Sequence, residues 1–426
     1  MSFNNSYLKA AHNIQTYFKA VIDAQTYLKA ITICFAFLFF SFTEATTAQT
    51  LPFSPYIKTR EGLTNTTYLL KKGQPVTVAF IGGSITYNPG WRDLVCNYLK
   101  TTFPKTQFHF VSAGIPSLGS LPHAFRLQKD VLDSGRIDLL FLEAAVNDQV
   151  NGTDSITQVR ALEGIIRHAR KSNPYMDLIM ISFADPDKTT LFQQGKTPVS
   201  VANHELVATY YGIPSINLAR AVSDKLANKE FDWNKDFVDL HPSPFGQQLY
   251  FRAIKALLSA ELEGLDSGGF SYIKHPVKNK PLDKANFSNG SYLNIKNALP
   301  SSDWKIDSNW VPKDGLGTRL GFVNVPVLTS DKPNSPLTLT FKGKAIGIAI
   351  VSGSDAGIIT YQVDNGPQKQ IDLFTEWSNS LHLPWYLLLQ AGLKDGKHQL
   401  KLQLNQNSNK NSKGTSCRIV YFLLDK

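Results

Sequence analysis

The chain has 426 residues, 42% of them hydrophobic and 18% charged. That composition excludes a disordered or collagen-like protein, and the length exceeds one ordinary domain. The net charge is +10, but the Lys and Arg residues are dispersed and no nucleic-acid motif occurs, so the excess reads as a basic surface with no nucleic-acid partner.

Residues 1–48 read as a signal peptide or leader. Ile31 to Phe42 is an apolar run of twelve residues, shorter than a membrane span. Lys9, Lys19 and Lys29 precede it, and Thr46-Thr47-Ala48 follows as a small-residue cleavage site. Ahead of the run the sequence repeats: SYLKAAHNIQ, TYFKAVIDAQ, TYLKAITICF. So few copies of so short a unit do not make a solenoid. They read as duplicated leader, the alternative being an uncleaved amphipathic anchor. No later stretch approaches membrane length. The expectation is export to a secreted, periplasmic or cell-surface location, with no stable membrane span once the leader is removed.

Residues 49–266 alternate strand and helix patterns. Pro75 to Ile81, Gln107 to Ser112, Asp138 to Ala145, Leu178 to Phe183 and Pro214 to Leu218 are short apolar runs. Such runs suit parallel strands covered on both faces. Helical spacing recurs over Arg92 to Phe103, Leu121 to Leu132, Val199 to Tyr211 and Phe245 to Leu262. A further helix is expected after Asp154, as N-cap, and ends before Pro174. Strands alternating with helices predict a doubly wound α/β sheet, whose reactive residues gather beyond the carboxyl ends of the strands.

The texture changes after Ser267-Gly268-Gly269. Leu337 to Phe341, Ala345 to Val351, Ile358 to Val363, Gln399 to Leu404 and Arg418 to Leu424 read as strands, with Asp364-Asn365-Gly366 as a turn. Residues 267–426 are therefore expected to form an antiparallel, jelly-roll-like β-sandwich. Cys34 falls in the leader. Cys96 and Cys417 are either free thiols or a bridge between the halves. No Cys/His spacing suggests a metal, and no cofactor is expected.

Four blocks of the first domain carry chemistry together. Gly82-Gly83-Ser84-Ile85-Thr86 follows the first strand, where two glycines let the chain turn and expose a serine. It is neither a GxSxG elbow nor a phosphate-binding loop. Ala113-Gly114-Ile115-Pro116-Ser117 follows the second strand and Val146-Asn147-Asp148 the third. Asp239-Leu240-His241-Pro242 precedes the last helix, and His is the usual side chain for taking a proton at neutral pH. Singly, each is more often structural. Their joint order at strand ends points to nucleophilic catalysis.

These blocks resemble those of the SGNH (or GDSL) hydrolase superfamily, in its GGSIT variant, with Glu143 ahead of the Asn block also similar. The resemblance implies a flavodoxin-like α/β/α sandwich and ester hydrolysis without a metal. It implies Ser84 as nucleophile and His241 as general base. The Ser84 N–H, the Gly114 N–H and the Asn147 amide would form the oxyanion hole. The family's acid lies three residues before the His, where this chain has Val238. Asp239, Asp236 or no acid is left to orient the imidazole, and Asp239 is preferred as nearest.

The whole arrangement is similar to secreted carbohydrate acetylesterases with an appended β-sandwich. That implies an acylated poly- or oligosaccharide as substrate. Trp304, Trp310, Trp377 and Trp385 either stack on sugar rings or fill the sandwich core. Trp91 either lines an acyl pocket or packs in the core. Phe374 to Pro384, with His382, is a candidate loop over the crevice. The rival readings are a lipid esterase of the same fold and a non-catalytic glycan-binding protein.

Overall fold

The computed structural model describes residues 16, 19–29, 50–262 and 272–426. They fall into two compact units, Met1–Thr50 and Leu51–Lys426. In the first, residues 19–29 form an exposed helix. The apolar run, the cleavage site and Cys34 lie outside the described residues. Among the described residues no helix is long and apolar enough to cross a membrane.

The second unit begins with a mixed sheet. Its strands are β1 (Ile57–Lys58), β2 (Val76–Gly82), β3 (Phe108–Gly114), β4 (Leu139–Glu143), β5 (Asp177–Ser182) and β6 (Ser215–Asn217). The spatial order is β1-β6-β5-β4-β2-β3. All neighbours run parallel except β1, which pairs antiparallel with β6. The parallel strands thus run in flavodoxin-like order, with the chain reversing direction across the sheet between β3 and β4.

Strand periodicity sorts the core into two layers. Val78, Phe80, Phe141, Ile179 and Ile181 face one side, against the helices Trp91–Thr102 and Pro244–Leu262. Ala79, Ile81, Leu140, Leu142 and Met180 face the other, against Ser120–Asp130, Ser155–Ser172 and Val199–Tyr211. Asp154 caps Ser155–Ser172 by accepting the Thr157 N–H at 3.0 Å. Helices at Pro186–Gln193 and Leu218–Ala227 escape the sequence pattern. Pro186–Gln193 is polar and short, and Asp185 caps it by accepting the Lys188 N–H at 2.8 Å.

The expected division at 266/267 lies outside the described residues, and both halves form one compact unit. The segment after it is fastened to the helix Ser155–Ser172. Glu163 accepts the N–H groups of Leu282 (2.7 Å) and Asp283 (2.8 Å). A Cβ on Gly164 would stand 2.6 Å from the Phe287 backbone, so only glycine admits this approach.

The second half packs two antiparallel sheets face to face. One runs β15 (Leu383–Gln390), β12 (Ala345–Ser352), β17 (Cys417–Asp425), β10 (Val325–Ser330), β9 (Lys305–Trp310), with β7 (Gly290–Leu293) also on β17. The other runs β14 (Lys369–Asp372), β13 (Gly357–Val363), β16 (Lys397–Ser408), β11 (Pro336–Lys342), β8 (Ala298–Pro300). Strand β11 alternates buried and open residues, as a sheet with one wet face should. Strand β12 is buried throughout. Ile346, Ile348 and Ile350 fill the sandwich core, while Ala345, Ala349 and Val351 join the core of the α/β layer. Strand β12 is therefore sealed on both faces, which explains its unbroken apolar sequence. Cys96 and Cys417 are both free.

Candidate active site

The site forms beyond the carboxyl ends of β2, β3 and β4. Ser84 opens a single helical turn, Ser84–Tyr87, closed by Tyr87 N–H to Gly83 O (3.0 Å) and Asn88 N–H to Ser84 O (2.9 Å). As the first residue of that turn, its own N–H has no partner within the helix. A Cβ on Gly83 would lie 2.6 Å from Asn147 Oδ1. The missing side chain is what lets the Asn147 amide stand against the nucleophile turn.

His241 enters from the loop before the last helix. Its Nε2 lies 2.8 Å from Ser84 Oγ. At that distance the imidazole can hold the hydroxyl proton. Asp239 accepts the His241 backbone N–H, and its carboxylate is 3.5 Å from Nδ1. Both side chains are largely open to solvent, so their attraction is screened. Asp236 is engaged elsewhere, accepting the Asp232 N–H at 2.8 Å.

Val238, at the position where the family acid is expected, ends a five-residue π turn with φ +80° and ψ −63°. A β-branched residue in that region is strained. Its side chain is 55% exposed and contributes little burial. Val238→Gly should therefore raise unfolding free energy in urea by about 1 kcal/mol, strain relief outweighing glycine's entropy cost.

Gly114 does not reach the cavity. Ile115, the next residue, donates its N–H to Gly82 O at 3.0 Å. Along a strand these donors alternate, so the Gly114 N–H turns away from β2 to the open edge. Its lack of a side chain serves packing instead: a Cβ there would meet Tyr87 N at 2.5 Å. The members of this block that line the cavity are Pro116 and Ser117, the latter with φ +71°.

The cavity holds about 430 Å³. Ser84, His241, Asn147, Ser117 and Asn151 give it polar lining, and Val146, Val150 and Leu240 are apolar. The β-sandwich half closes the rim with Arg319, Trp377, Leu381 and Leu383. The Phe374–Pro384 stretch thus does reach the crevice. His382 instead is buried, its Nε2 2.9 Å from Asp314 Oδ1. Trp304 and Trp310 are buried. Trp385 lies in an adjoining groove that shares Ser117 and Asn151. Trp91 is core, packed against Phe80, Phe141 and Phe183, with its Nε1–H bonded to Ile85 O at 3.1 Å.

Two buried carboxyls brace the site from beneath. Glu143 accepts the Gly83 and Val146 N–H groups, each at 3.3 Å, linking the serine turn to the Asn147 helix. Asp148 Oδ1 accepts the Ser120 N–H (2.7 Å) and hydroxyl (2.9 Å). Burial pushes both up to about 7, their hydrogen bonds opposing the shift. The nearby Lys188 ammonium is already paired with Asp185. His123 accepts Arg126 Nε–H at Nδ1 (3.1 Å), so its Nε2–H donates to Glu143 O (3.1 Å). Burial holds that imidazole well below its usual pKa.

Residues 80–249 match the model of the GDSL-like lipase/acylhydrolase family. Among solved structures, the chain is similar to a two-domain esterase active on acetylated mannans. With 18% identity and a TM-score of 0.69, the match covers 85% of this chain and 95% of that one. The same kind of esterase co-crystallized with mannopentaose matches at 17% identity and TM-score 0.67, over 85% and 94% of the two chains. At that identity the likeness concerns the fold, in both halves. No curated protein matches the chain.

Proposed function

We propose that this chain, whose residues 80–249 match the GDSL-like lipase/acylhydrolase family model, removes O-acetyl groups from a carbohydrate, with Ser84 as nucleophile and His241 as base. The observation that carries this reading is the 2.8 Å contact between His241 Nε2 and Ser84 Oγ at the mouth of a cavity. The carbohydrate is suggested by the two-domain esterases of like fold, which act on acetylated mannans. Trp377 on the rim offers an aromatic face to a sugar ring. Export through the N-terminal leader belongs to the same proposal, since a polysaccharide is met outside the cell.

In this mechanism His241 takes the Ser84 proton through Nε2 while Oγ attacks the acetyl carbon. The tetrahedral oxyanion is held by the Ser84 N–H, the Asn147 amide and the Ser117 N–H, which replaces that of Gly114. His241 then gives its proton to the departing sugar oxygen. A water, deprotonated by His241, attacks the acetyl-serine; the acyl C–Oγ bond breaks, His241 returns the proton to Ser84 Oγ, and acetate leaves. Asn147→Ala should lower kcat about 10²-fold with little change in KM, because the amide meets charge only in the transition state. Steady-state kinetics on an aryl acetate reads this directly.

The deciding experiment is acetate release from a panel of acetylated polysaccharides by wild type and Ser84→Ala. Release by wild type alone is expected. Cleavage confined to long-chain acyl esters would make the protein a lipid esterase. Retention on a glycan column without acetate release would make it a binding protein.

A further inference from the structure

Arg319 reaches the cavity from the β-sandwich half. Its Nη2 donates one long hydrogen bond, 3.4 Å, to Ser117 Oγ. Its Nε is buried and has no partner. Several other shielded arginines are neutralised by carboxylates: Arg60 holds Glu205 at 2.7 Å, Arg160 holds Asp283 at 2.8 Å, and Arg418 holds Asp355 at 2.6 Å. Arg167, without such a partner among the described residues, instead spends its Nη1 on Tyr211 Oη (3.1 Å) and Lys278 O (2.7 Å). Among the described residues no carboxylate forms an ion pair with Arg319.

The cavity offers it no anion either. No Asp or Glu lines the walls, and the other titratable groups there are His241 and Tyr87. Asp239 stands beside His241 on the solvent side. Asp314, the nearest acid of the same segment, is held by His382 and by Ser354 (3.1 Å). The site thus presents a guanidinium without a counter-ion, sharing a wall with the nucleophile. A planar fork of N–H donors in a shielded site fits a carboxylate better than any neutral group.

We propose that Arg319 selects acyl sugars bearing a carboxylate near the ester, uronic-acid units, over neutral sugars. This rests on the carbohydrate-esterase reading above and narrows it. The overall charge of +10 points the same way, since it draws polyanions toward the enzyme.

The test compares kcat/KM for acetate release from an acetylated oligouronide and from the same oligomer after reduction of its carboxyl groups. Wild type is expected to favour the uronide by about 10- to 100-fold, and less so at high salt. Arg319→Gln should bring the two rates close to parity. Arg319→Lys should keep part of the preference, as a point charge without the fork. Each result is a ratio within one preparation, so partial misfolding does not alter it. Equal wild-type rates on the two oligomers would overturn the proposal. So would an Arg319→Gln variant that loses both activities in proportion, which would make Arg319 a general support of the site. Acetate from neither oligomer would remove the carbohydrate reading as well.

Discussion

Ser84→Ala and His241→Ala are each expected to lower kcat/KM on an aryl acetate by about 10⁴-fold or more. The double variant should be hardly worse than either single one. The reason is mechanical: Oγ is a weak nucleophile without the imidazole, and the imidazole has no proton to take without Oγ. The contact of 2.8 Å between Nε2 and Oγ makes the two one working unit. Asp239→Asn should behave differently. Its carboxylate is 3.5 Å from Nδ1 and open to water, so about a tenfold loss or less is expected, where a buried triad acid costs about 10⁴. A loss near 10⁴ for Asp239→Asn would show that the loop closes around the imidazole during turnover. An active Ser84→Ala protein would end the proposed mechanism.

Stability should fall as pH rises through neutrality, by about 2 kcal/mol or more between about pH 5 and pH 8. Burial raises both Glu143 and Asp148 to about 7, from the 4.5 and 3.8 of free side chains. The folded chain therefore binds these protons more tightly than the unfolded chain. Below the unfolded values the two states hold the same protons and the stabilisation is whole. It is lost as pH climbs through about 7, where the folded carboxyls must ionise in a dry interior. Lys188 relieves them little, because Asp185 already holds its ammonium. Asp148→Asn should flatten this slope and raise Tm at pH 8. Its remaining oxygen can accept the two Ser120 donors, while Asp148 Oδ2 has no partner to lose. Urea titrations of both proteins across the range measure the effect. A flat wild-type profile would show the two carboxyls ionised at their ordinary pH.

The parallel strands and most of the helices around them were legible from residue order alone. Their apolar runs are short, they end in Gly or Asn blocks, and the helices between repeat at helical spacing. A strand buried on both faces has no polar residues to blur it. Ser84, Asn147 and His241 were legible for a related reason. Each sits next to the end of a regular element, so a local motif fixes where its backbone goes. Strands β7 to β10 were not legible: β7 and β8 are short, β9 is mostly polar, and β10 carries a proline. Strand β15 hid in a stretch whose Trp and Pro residues read as loop.

What residue order determined here is the layered α/β sheet, the sandwich behind it, and a serine and a histidine brought to one edge. Tertiary structure decided the rest of the pocket. It turned the Gly114 N–H outward and put Ser117 on the wall, because donors alternate along a strand and the sheet's neighbours choose the side. It set Arg319 and Trp377 against Ser84, more than 200 residues away in sequence. No local pattern encodes that approach. It follows from the apolar face of β12 and β17 that the sandwich must bury against the α/β layer.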